Sequence, residues 1–278
     1  MIQLFHKSSA DCSKTITRLY STSFYSSIKL LHRDLRQPIY NVYGFVRLAD
    51  EIVDTFHEQD KEQLLADFKK ETYAAIQRRL SLNPVLHSFQ ATVNEYNIDH
   101  HLIDAFFHSM ELDLTRSGYD DAGYAEYIYG SAEVVGLMCL YIFCEGDKKL
   151  YEELKPSAQA LGAAFQKVNF LRDIRADFHD LKRVYFPGCN FNQFTEAEKR
   201  KIEADIENDF NAAYEGVLKL PVKARFGVYV AYTYYRSLFK RIKKIQPSGI
   251  LQRRIRIPDH KKLLILLKAR VKNQFGVI

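Results

Sequence analysis

The chain has 278 residues, of which 47% are hydrophobic and 27% charged, an ordinary globular composition that excludes disordered, collagen-like and low-complexity proteins. Only 12 glycines and 7 prolines are present, too few for the closely spaced turns of an all-β fold, and the longest apolar run, 134–144, falls short of the roughly 20 residues that span a membrane. The net charge of +6 conceals a basic C-terminal segment, because residues 223–278 hold 15 lysines and arginines against one acid, Asp259.

Apolar residues recur at intervals of three and four along almost the whole sequence, and no window alternates as a half-buried strand does. The chain is therefore predicted to be all-α and, since no linker or repeat divides it, a single domain over residues 1–278. Pro38 fits the first turn of the second helix, and Pro156 and the other prolines fit segment boundaries. The predicted helices are 9–31, 35–57, 60–82, 85–95, 99–117, 123–144, 148–181, 194–219, 221–245 and 259–273.

The four cysteines, Cys12, Cys139, Cys144 and Cys189, form no C-x-x-C pair and no cluster with histidine. The sequence therefore predicts neither a zinc site nor a disulfide framework. No charged-then-apolar leader opens the chain. We expect a cytoplasmic protein that is neither secreted nor transmembrane.

The second predicted helix carries a first acidic stripe. Asp50 and Asp54 are four residues apart and share one helix face with Tyr43 and Arg47. Two like charges at this spacing destabilise an isolated helix by a few tenths of a kcal/mol, a penalty that a shared cation reverses. A water-facing acidic stripe is the alternative, and the apolar residues beside it argue against that.

The seventh predicted helix carries a second stripe, in which Gln166, Asn169, Asp173 and Asp177 are three, four and four residues apart. Carboxylate and amide oxygens are the ligands that Mg²⁺ prefers, with phosphates and waters completing its octahedron. A stripe facing water is again the alternative. Burying four such groups without partners would cost several kcal/mol.

Two acidic helices facing each other, with Arg47 and Arg172 beside them, suit a metal–diphosphate site. Mg²⁺ ions would join carboxylates to diphosphate, and the arginines would bind its other oxygens. We therefore expect cleavage of a C–O bond to diphosphate, which leaves a carbocation that needs a dry, aromatic-lined cavity. The 18 tyrosines and 19 phenylalanines can supply one.

These motifs resemble those of the squalene/phytoene synthase family, from about Cys12 to Leu267. The first stripe resembles the family's aspartate-rich motif, with Glu51 where many members have a second aspartate. The second resembles its N-x-x-x-D-x-x-x-D element. The sequence R-V-Y-F-P, which contains Arg183 and Tyr185, resembles the family's R-x-Y-x-P, which comes after that element.

Three further stretches resemble family segments. Residues 20–24 are similar to an S-x-S-F segment that contacts diphosphate, Tyr127 lies in a stretch similar to the helix that faces the reacting carbons, and Tyr235 resembles a tyrosine near the metal site. Glu133, where relatives often have glycine, departs from the pattern and places an acid near the apolar channel. The implied catalytic residues are Asp50, Asp54, Asp173, Asp177, Tyr127 and Tyr235; the substrate-binding residues are Tyr20, Ser21, Thr22, Ser23, Phe24, Tyr43, Arg47, Gln166, Asn169, Arg172, Arg183 and Tyr185; the metal ligands are Asp50, Asp54, Asn169, Asp173 and Asp177.

The resemblance implies an isoprenoid-synthase helical bundle with a central cavity, and head-to-head condensation of two prenyl diphosphates through a cyclopropylcarbinyl diphosphate. Phytoene synthases end the reaction by proton loss, whereas squalene synthases use hydride from NADPH. The motifs are closest to those of bacterial phytoene synthases. We therefore expect phytoene from two geranylgeranyl diphosphates, with Mg²⁺ or Mn²⁺ as cofactor and no NADPH.

Other functions stay open. Farnesyl diphosphate would give dehydrosqualene, squalene or presqualene diphosphate, and some relatives that lack the carboxylates are non-catalytic assembly factors. A terpene cyclase would carry N/D-x-x-S/T-x-x-x-E, which Asn169 to Asp177 does not match. Oligomeric state is not readable from the sequence.

The basic C-terminal segment predicts an anionic partner. Charge alone fits nucleic acid, diphosphate or a membrane. We expect no nucleic-acid partner, and two alternatives are left. The segment docks on an anionic membrane surface, or its cations contact diphosphate while its leucines pack in the core. The residues concerned are Arg241, Lys243, Lys244, Arg253, Arg254, Arg256, Lys261 and Lys262, beside Leu263–Leu267.

Overall fold

The computed structural model of the protein describes residues 1–252 and 254–275. Helix accounts for 80% of the structure, and these residues contain no strand, so the all-α prediction is confirmed. The helices are α1 (Ile2–Tyr20), α2 (Thr22–Ile28), α3 (Arg33–Asp54), α4 (Lys61–Arg78), α5 (Pro84–Tyr96), α6 (His100–Thr115), α7 (Asp121–Ile128), α8 (Val134–Cys144), α9 (Lys148–Arg175), α10 (Glu196–Lys219), α11 (Val222–Lys243), α12 (Pro247–Ile250) and α13 (Asp259–Gln274), with π-helical turns at Tyr129–Glu133 and Ala176–Asp180 and a 3₁₀ turn at Phe191–Gln193.

The first predicted helix, 9–31, is divided in two. α1 begins earlier than expected and ends at Tyr20, and α2 begins at Thr22. Between them Ser21 has an extended backbone (φ −144°), and its hydroxyl accepts a 3.2 Å hydrogen bond from the Phe24 N–H. Because a serine here pairs one of the N–H groups that a new helix leaves free, the Ser-Thr-Ser sequence favours the break.

Two prolines lie deeper in their helices than predicted. α3 begins at Arg33, so Pro38 is its sixth residue and lies beyond the first turn, and Pro156 lies inside α9 instead of at a boundary. Each leaves the carbonyl four residues earlier without its helical partner. When the π turns are counted with the helices that they continue, the other predicted helices agree with the structure to within four residues, and the short α12 is the one helix that was not predicted.

Side-chain caps begin several of the helices, which explains why their starts were readable from sequence. Thr195 and Glu198 form a reciprocal capping box at the start of α10. Each cap stabilises its helix by about 1 kcal/mol. Single acidic or amide caps are Asp60, Asn83, Asp99, Asp120 and Asp147.

A continuous helical stretch, made of α7, the π turn and α8, packs against α3, α6 and α9. By length and composition alone, Asp121–Cys144 is long and apolar enough to cross a membrane, which we did not expect from the sequence. However, 56% of its most apolar window is buried in the fold, as in core helices of soluble proteins. Gly130 lies so close to α6 that a Cβ would be 2.4 Å from the Ala105 carbonyl oxygen.

The hydrophobic core consists of two clusters. One is centred on stacked phenylalanines, with Phe45 and Phe89 rings 3.8 Å apart. The other is built from α9, α10 and α11, and includes Phe170 stacked on Tyr185 at 4.0 Å. Residues of both clusters line a single cavity, so the packing that stabilises the helices also shapes the site.

Candidate active site

A cavity of about 510 Å³ lies among α2, α3, α8, α9 and α11. Asp54, Tyr20 and Arg254 line one end and are partly exposed, so the cavity opens there. The other end is closed by buried apolar side chains. These are Ile28, Leu31, Leu140, Phe143, Leu154 and Leu220.

The first acidic stripe lies on α3 at the open end of the cavity. Asp50 and Asp54 both line the wall, and Arg47 lies one turn before Asp50. The Arg47 guanidinium binds Glu51, has its Nη1 3.8 Å from Asp50 Oδ2, and stacks 4.4 Å above the Tyr20 ring. Burial raises the pKa of Asp50 to about 7, although Arg47 opposes that shift. This carboxyl therefore lies where negative charge is only partly compensated.

The second stripe lines the same end from α9. Asp173 is held by two arginines: Arg172 Nε donates to it at 3.0 Å, and Arg254 Nε lies 2.8 Å from its Oδ1. Asn169 Oδ1 accepts a 3.2 Å hydrogen bond from the Tyr235 hydroxyl. Gln166 lies one turn earlier, with its Nε2 3.5 Å from Ser131 Oγ.

Asp177 belongs to the π turn at the end of α9, so its side chain leaves the helix at a different angle from that of a regular α turn. Burial raises its pKa to about 8, and the charges of Asp173 and Asp54 add to the shift. Asp54 belongs to α3, so the two stripes are close enough to interact. The structure thus brings both predicted stripes to one end of one cavity.

A buried polar network that the sequence did not reveal lies beside this end. Its centre is Asp113 of α6, whose side chain is 6% exposed. Asp113 accepts hydrogen bonds from the hydroxyls of Tyr127 (2.6 Å) and Tyr185 (3.3 Å). Arg183, only 9% exposed, donates to the Asp113 carbonyl at 3.0 Å and to Asp54 Oδ1 at 2.8 Å. The network therefore connects the R-x-Y-x-P segment to the first stripe.

Aromatic rings line the cavity next to the polar end. Phe165 and Tyr235 stack 3.9 Å apart, and Phe24 lies 5.6 Å from Tyr235 and 6.0 Å from Tyr43. Burial raises the pKa of Tyr43 to about 12, so its hydroxyl stays protonated. These faces could stabilise a carbocation formed at the boundary between the two ends.

Several predicted site residues do not line the cavity. Tyr20, Ser21 and Phe24 do, but Thr22 is exposed and Ser23 is absent from the wall, because α2 begins there and turns them away. Arg183 lies behind the wall and acts on it through Asp54 and Tyr185.

The acid expected near the apolar channel, Glu133, does not line the cavity. Its carboxylate accepts a 2.8 Å hydrogen bond from Gln159 Nε2.

Sequence reasoning missed Asp113 altogether and did not single out Arg254. Asp113 has one local signal, an acid among the apolar residues at the end of α6. Arg254 was one of many cations in the basic segment, and only the fold places it against Asp173. Arg253, its neighbour in that segment, lies outside the described residues.

The donor set can be tested against divalent cations. Among residues 1–252 and 254–275, no three His, Cys, Asp or Glu side chains form a ready-made metal-binding group. Mg²⁺ usually takes only one or two protein carboxylates when phosphate oxygens share it, so facing carboxylates on two segments fit ions shared with diphosphate. Burial raises the pKa values of Asp50 and Asp177, and neighbouring carboxylates add to both shifts, so a bound cation would favour the charged forms of both groups. The residues present therefore fit such ions.

Known proteins share both sequence and fold with this chain. Residues 17–261 match the family model of squalene/phytoene synthase. The phytoene synthase of Arthrospira platensis is 25% identical over 95% of this chain and 94% of that protein. The presqualene diphosphate synthase of Rhodopseudomonas palustris is 27% identical over 66% of this chain and 65% of that protein. A solved dehydrosqualene synthase structure covers 97% of this chain and 98% of its own at a TM-score of 0.85 and 19% identity, and the fold is that of the isoprenoid synthases.

Proposed function

The chain belongs to the squalene/phytoene synthase family, whose members are prenyltransferase-type synthases, and we propose that it joins two molecules of geranylgeranyl diphosphate head to head to form phytoene. The observation that carries the proposal is the division of one cavity into a charged open end and a long apolar closed end. A prenyl diphosphate likewise has a charged diphosphate at one end and an apolar tail at the other. Its diphosphate would bind at the open end and its tail would lie in the closed end.

The length of the cavity along α9, from its charged end to its apolar end, favours a twenty-carbon tail. At about 1.5 Å per residue, Leu154 and Asp173 of α9 lie about 28 Å apart. With C–C bonds of about 1.5 Å, the extended main chain of a geranylgeranyl group spans about 19 Å and that of a farnesyl group about 14 Å. A farnesyl tail that starts at the charged end would leave part of the closed end empty, which forfeits dispersion contacts. The wall residues on α9 are Leu154, Ser157, Ala158, Leu161, Gly162, Phe165, Gln166, Asn169 and Asp173.

The charges at the open end support a requirement for divalent cations. The open end carries the four aspartates of the two stripes, with Glu51 and Asp113 beside them, against four arginines, namely Arg47, Arg172, Arg183 and Arg254. A bound diphosphate would add more negative charge, which the arginines alone would not balance. Mg²⁺, or Mn²⁺ in its place, would supply the missing positive charge and make diphosphate a better leaving group. Asp50, Asp54, Asn169, Asp173 and Asp177 would hold the ions.

The protein's own residues would guide the reaction by position and by excluding water. The C–O bond of the first substrate breaks, and its electron pair leaves with the diphosphate that Arg47 and Arg172 orient. The double bond of the second substrate attacks the allylic cation, and proton loss gives a cyclopropylcarbinyl diphosphate. A second ionisation, rearrangement and proton loss give phytoene. No hydride is needed, so NADPH is not a cofactor in this proposal.

Farnesyl diphosphate is the main competing substrate, since a presqualene diphosphate synthase and a dehydrosqualene synthase structure are both similar to this chain. A non-catalytic assembly role is disfavoured because all four aspartates line the cavity. The cytoplasmic location expected from the sequence stays a prediction.

The decisive experiment offers the purified protein each prenyl diphosphate separately, with Mg²⁺ or with EDTA, and with or without NADPH. We expect phytoene from geranylgeranyl diphosphate with Mg²⁺ alone, identified by chromatography against a standard. Preference for farnesyl diphosphate, or a product formed only with NADPH, would overturn the assigned substrate. Full activity in EDTA would overturn the metal site.

A further inference from the structure

Helix α13 presents an apolar stripe to solvent. The inner face of α13, which includes the buried Ala269, packs against α11. On the outer face four large apolar side chains are each more than half exposed and lie within about 100° of one another around the helix. They are Leu263, Leu264, Leu267 and Val271. The helix is therefore apolar on both sides.

Basic residues flank this outer stripe. Lys261, Lys268 and Lys272 lie along one edge, and Arg270 lies along the other. All four are exposed. The only acid in α13 is its first residue, Asp259. The exposed stripe thus lies within a strongly positive surface.

We propose that α13 docks on the surface of an anionic phospholipid bilayer, with the leucine stripe inserted at the interface and the basic flanks against the headgroups. A helix with one apolar face and lysines and arginines beside it binds such interfaces by combining apolar burial with attraction to anionic lipid. A second copy of the chain fits this face less well, because pairing two α13 helices would bring their positive charges together.

Helix α13 lies near the open end of the cavity, so docking would affect how substrate and product reach the site. This part of the inference rests on the proposed function. Lys262 Nζ donates a 3.3 Å hydrogen bond to the Thr22 hydroxyl, next to Tyr20 and Ser21 of the cavity wall. The segment before α13 supplies Arg254 to the open end. A docked protein would therefore hold its open end near lipid, so that hydrocarbon tails enter or leave with little exposure to water.

The structure divides the basic segment between the two predicted roles. Arg254 turns inward to Asp173, as the diphosphate alternative expected. Leu263 and Leu267 point outward, as the membrane alternative expected. The two roles are therefore compatible, and different residues serve each of them.

The test is sedimentation of the full chain with vesicles, without any prenyl diphosphate. At low salt we expect the protein to bind vesicles of phosphatidylcholine that contain about 30 mol% phosphatidylglycerol. It should bind little to pure phosphatidylcholine, and its binding to the anionic vesicles should weaken as the salt concentration rises. The double variant Leu263→Ser/Leu267→Ser should bind at least about tenfold more weakly. The triple variant Lys261→Gln/Lys268→Gln/Arg270→Gln should lose about fivefold per charge.

Matched controls replace exposed leucines and exposed basic residues on other elements. Leu4→Ser/Leu82→Ser and Lys7→Gln/Lys14→Gln/Arg78→Gln make the same chemical changes and should bind as the wild type does. Circular dichroism and thermal melting show that each variant is folded.

Three results would overturn the inference. They are no binding to anionic vesicles at low ionic strength, equal losses in the α13 variants and their controls, and a solution dimer that Leu263→Ser/Leu267→Ser converts to monomer. Because binding is measured without substrate, a protein that binds vesicles but makes no phytoene would overturn the proposed function and leave this inference standing.

Discussion

The Tyr127 hydroxyl donates a 2.6 Å hydrogen bond to Asp113 Oδ2, and both side chains are buried. Burial and the Asp113 charge raise the pKa of Tyr127 well above its usual value, so the hydroxyl stays protonated and acts as a donor. Burial also raises the pKa of Asp113 to about 6, against the opposing charge of Arg183. Tyr127 lines the cavity, and this bond therefore fixes the position of a ring in its wall.

We predict that Tyr127→Phe lowers kcat more than it changes KM, because the ring stays in the wall but loses the bond that orients it. Leaving a buried carboxylate with one donor fewer costs about 1–3 kcal/mol, so Tm should fall as well. Tyr124→Phe is the matched control, since its buried hydroxyl has no hydrogen-bond partner. Equal kinetic effects in the two variants would contradict a positioning role for Tyr127.

Neutralising one aspartate of either stripe should slow turnover by about 10²–10³ without unfolding the protein. Asp50→Asn and Asp177→Asn are the most informative, because burial raises both pKa values and makes the charged forms unfavourable in the folded protein. Removing the charge should therefore leave Tm, measured in EDTA, unchanged or higher.

The control for these variants is Asp67→Asn, on the exposed face of α4. It should match the wild type in both rate and Tm. If Asp50→Asn or Asp177→Asn kept full activity at saturating Mg²⁺, the assignment of the stripes as the metal site would be wrong.

Filling the cavity between its two ends should change the preferred tail length. Ala158 lines the wall about 22 Å from Asp173 along α9, at about 1.5 Å per residue. A phenylalanine there would reach into the space needed by a geranylgeranyl chain. Ala158→Phe should therefore lower kcat/KM for geranylgeranyl diphosphate by at least about tenfold, with a smaller effect on farnesyl diphosphate.

The same position provides the control for tail length. Ala158→Ser adds one atom and should leave the ratio of kcat/KM for the two substrates as in the wild type. Parallel losses with both substrates in Ala158→Phe would mean that the substitution disrupts packing and that this part of the cavity does not select tail length.

A buried histidine should make folding stability depend on pH. His87 Nδ1 accepts a 3.3 Å hydrogen bond from the Ser81 N–H, so the proton of neutral His87 lies on Nε2, 2.7 Å from His6 Nδ1. Burial, and then the charge of His6, lowers the pKa of His87. In the unfolded chain the pKa of His87 is near 6.5. As the pH falls toward and below that value, the unfolded chain therefore binds more protons than the folded protein, and the free energy of unfolding should decrease.

The measurement is thermal melting between pH 7.5 and 5.5 in wild type and in His87→Asn, which keeps an acceptor for Ser81 but does not titrate. The loss of Tm toward low pH should be smaller in the variant. His101→Gln, an exposed position at the start of α6, should retain the wild-type loss. An unchanged pH dependence in His87→Asn would show that His87 does not contribute.

The helices and the two acidic stripes could be predicted because both depend on spacing within one segment. Asp50 and Asp54, or Asn169 and Asp173, share a face wherever the chain is helical. The local exceptions are equally physical. Ser21 begins a new helix by capping it, and Pro38 stays inside α3 because the surrounding packing outweighs its missing N–H.

The rest of the site depends on pairings that no local pattern contains. Asp54 and Arg183 are 129 residues apart in sequence, and Arg254 and Asp173 are 81 apart. Asp113 lies between Leu112 and Leu114 of α6, where an acid without visible partners gives no indication of its role. Its function as the centre of a network is visible only when α6, α7 and the segment after α9 are packed together.

The π turn at Ala176–Asp180 places one additional residue in the turn that carries Asp177. The Leu181 N–H bonds to the Ala176 carbonyl at 3.1 Å, spanning five residues instead of four. Deleting one residue would allow an ordinary α turn and leave the chain after it nearly in place, because the extra residue is accommodated within this one turn, but it would change the direction in which the Asp177 side chain leaves the helix. A deletion here should therefore preserve the fold and the bond from Arg183 to Asp54, and act on the site through Asp177.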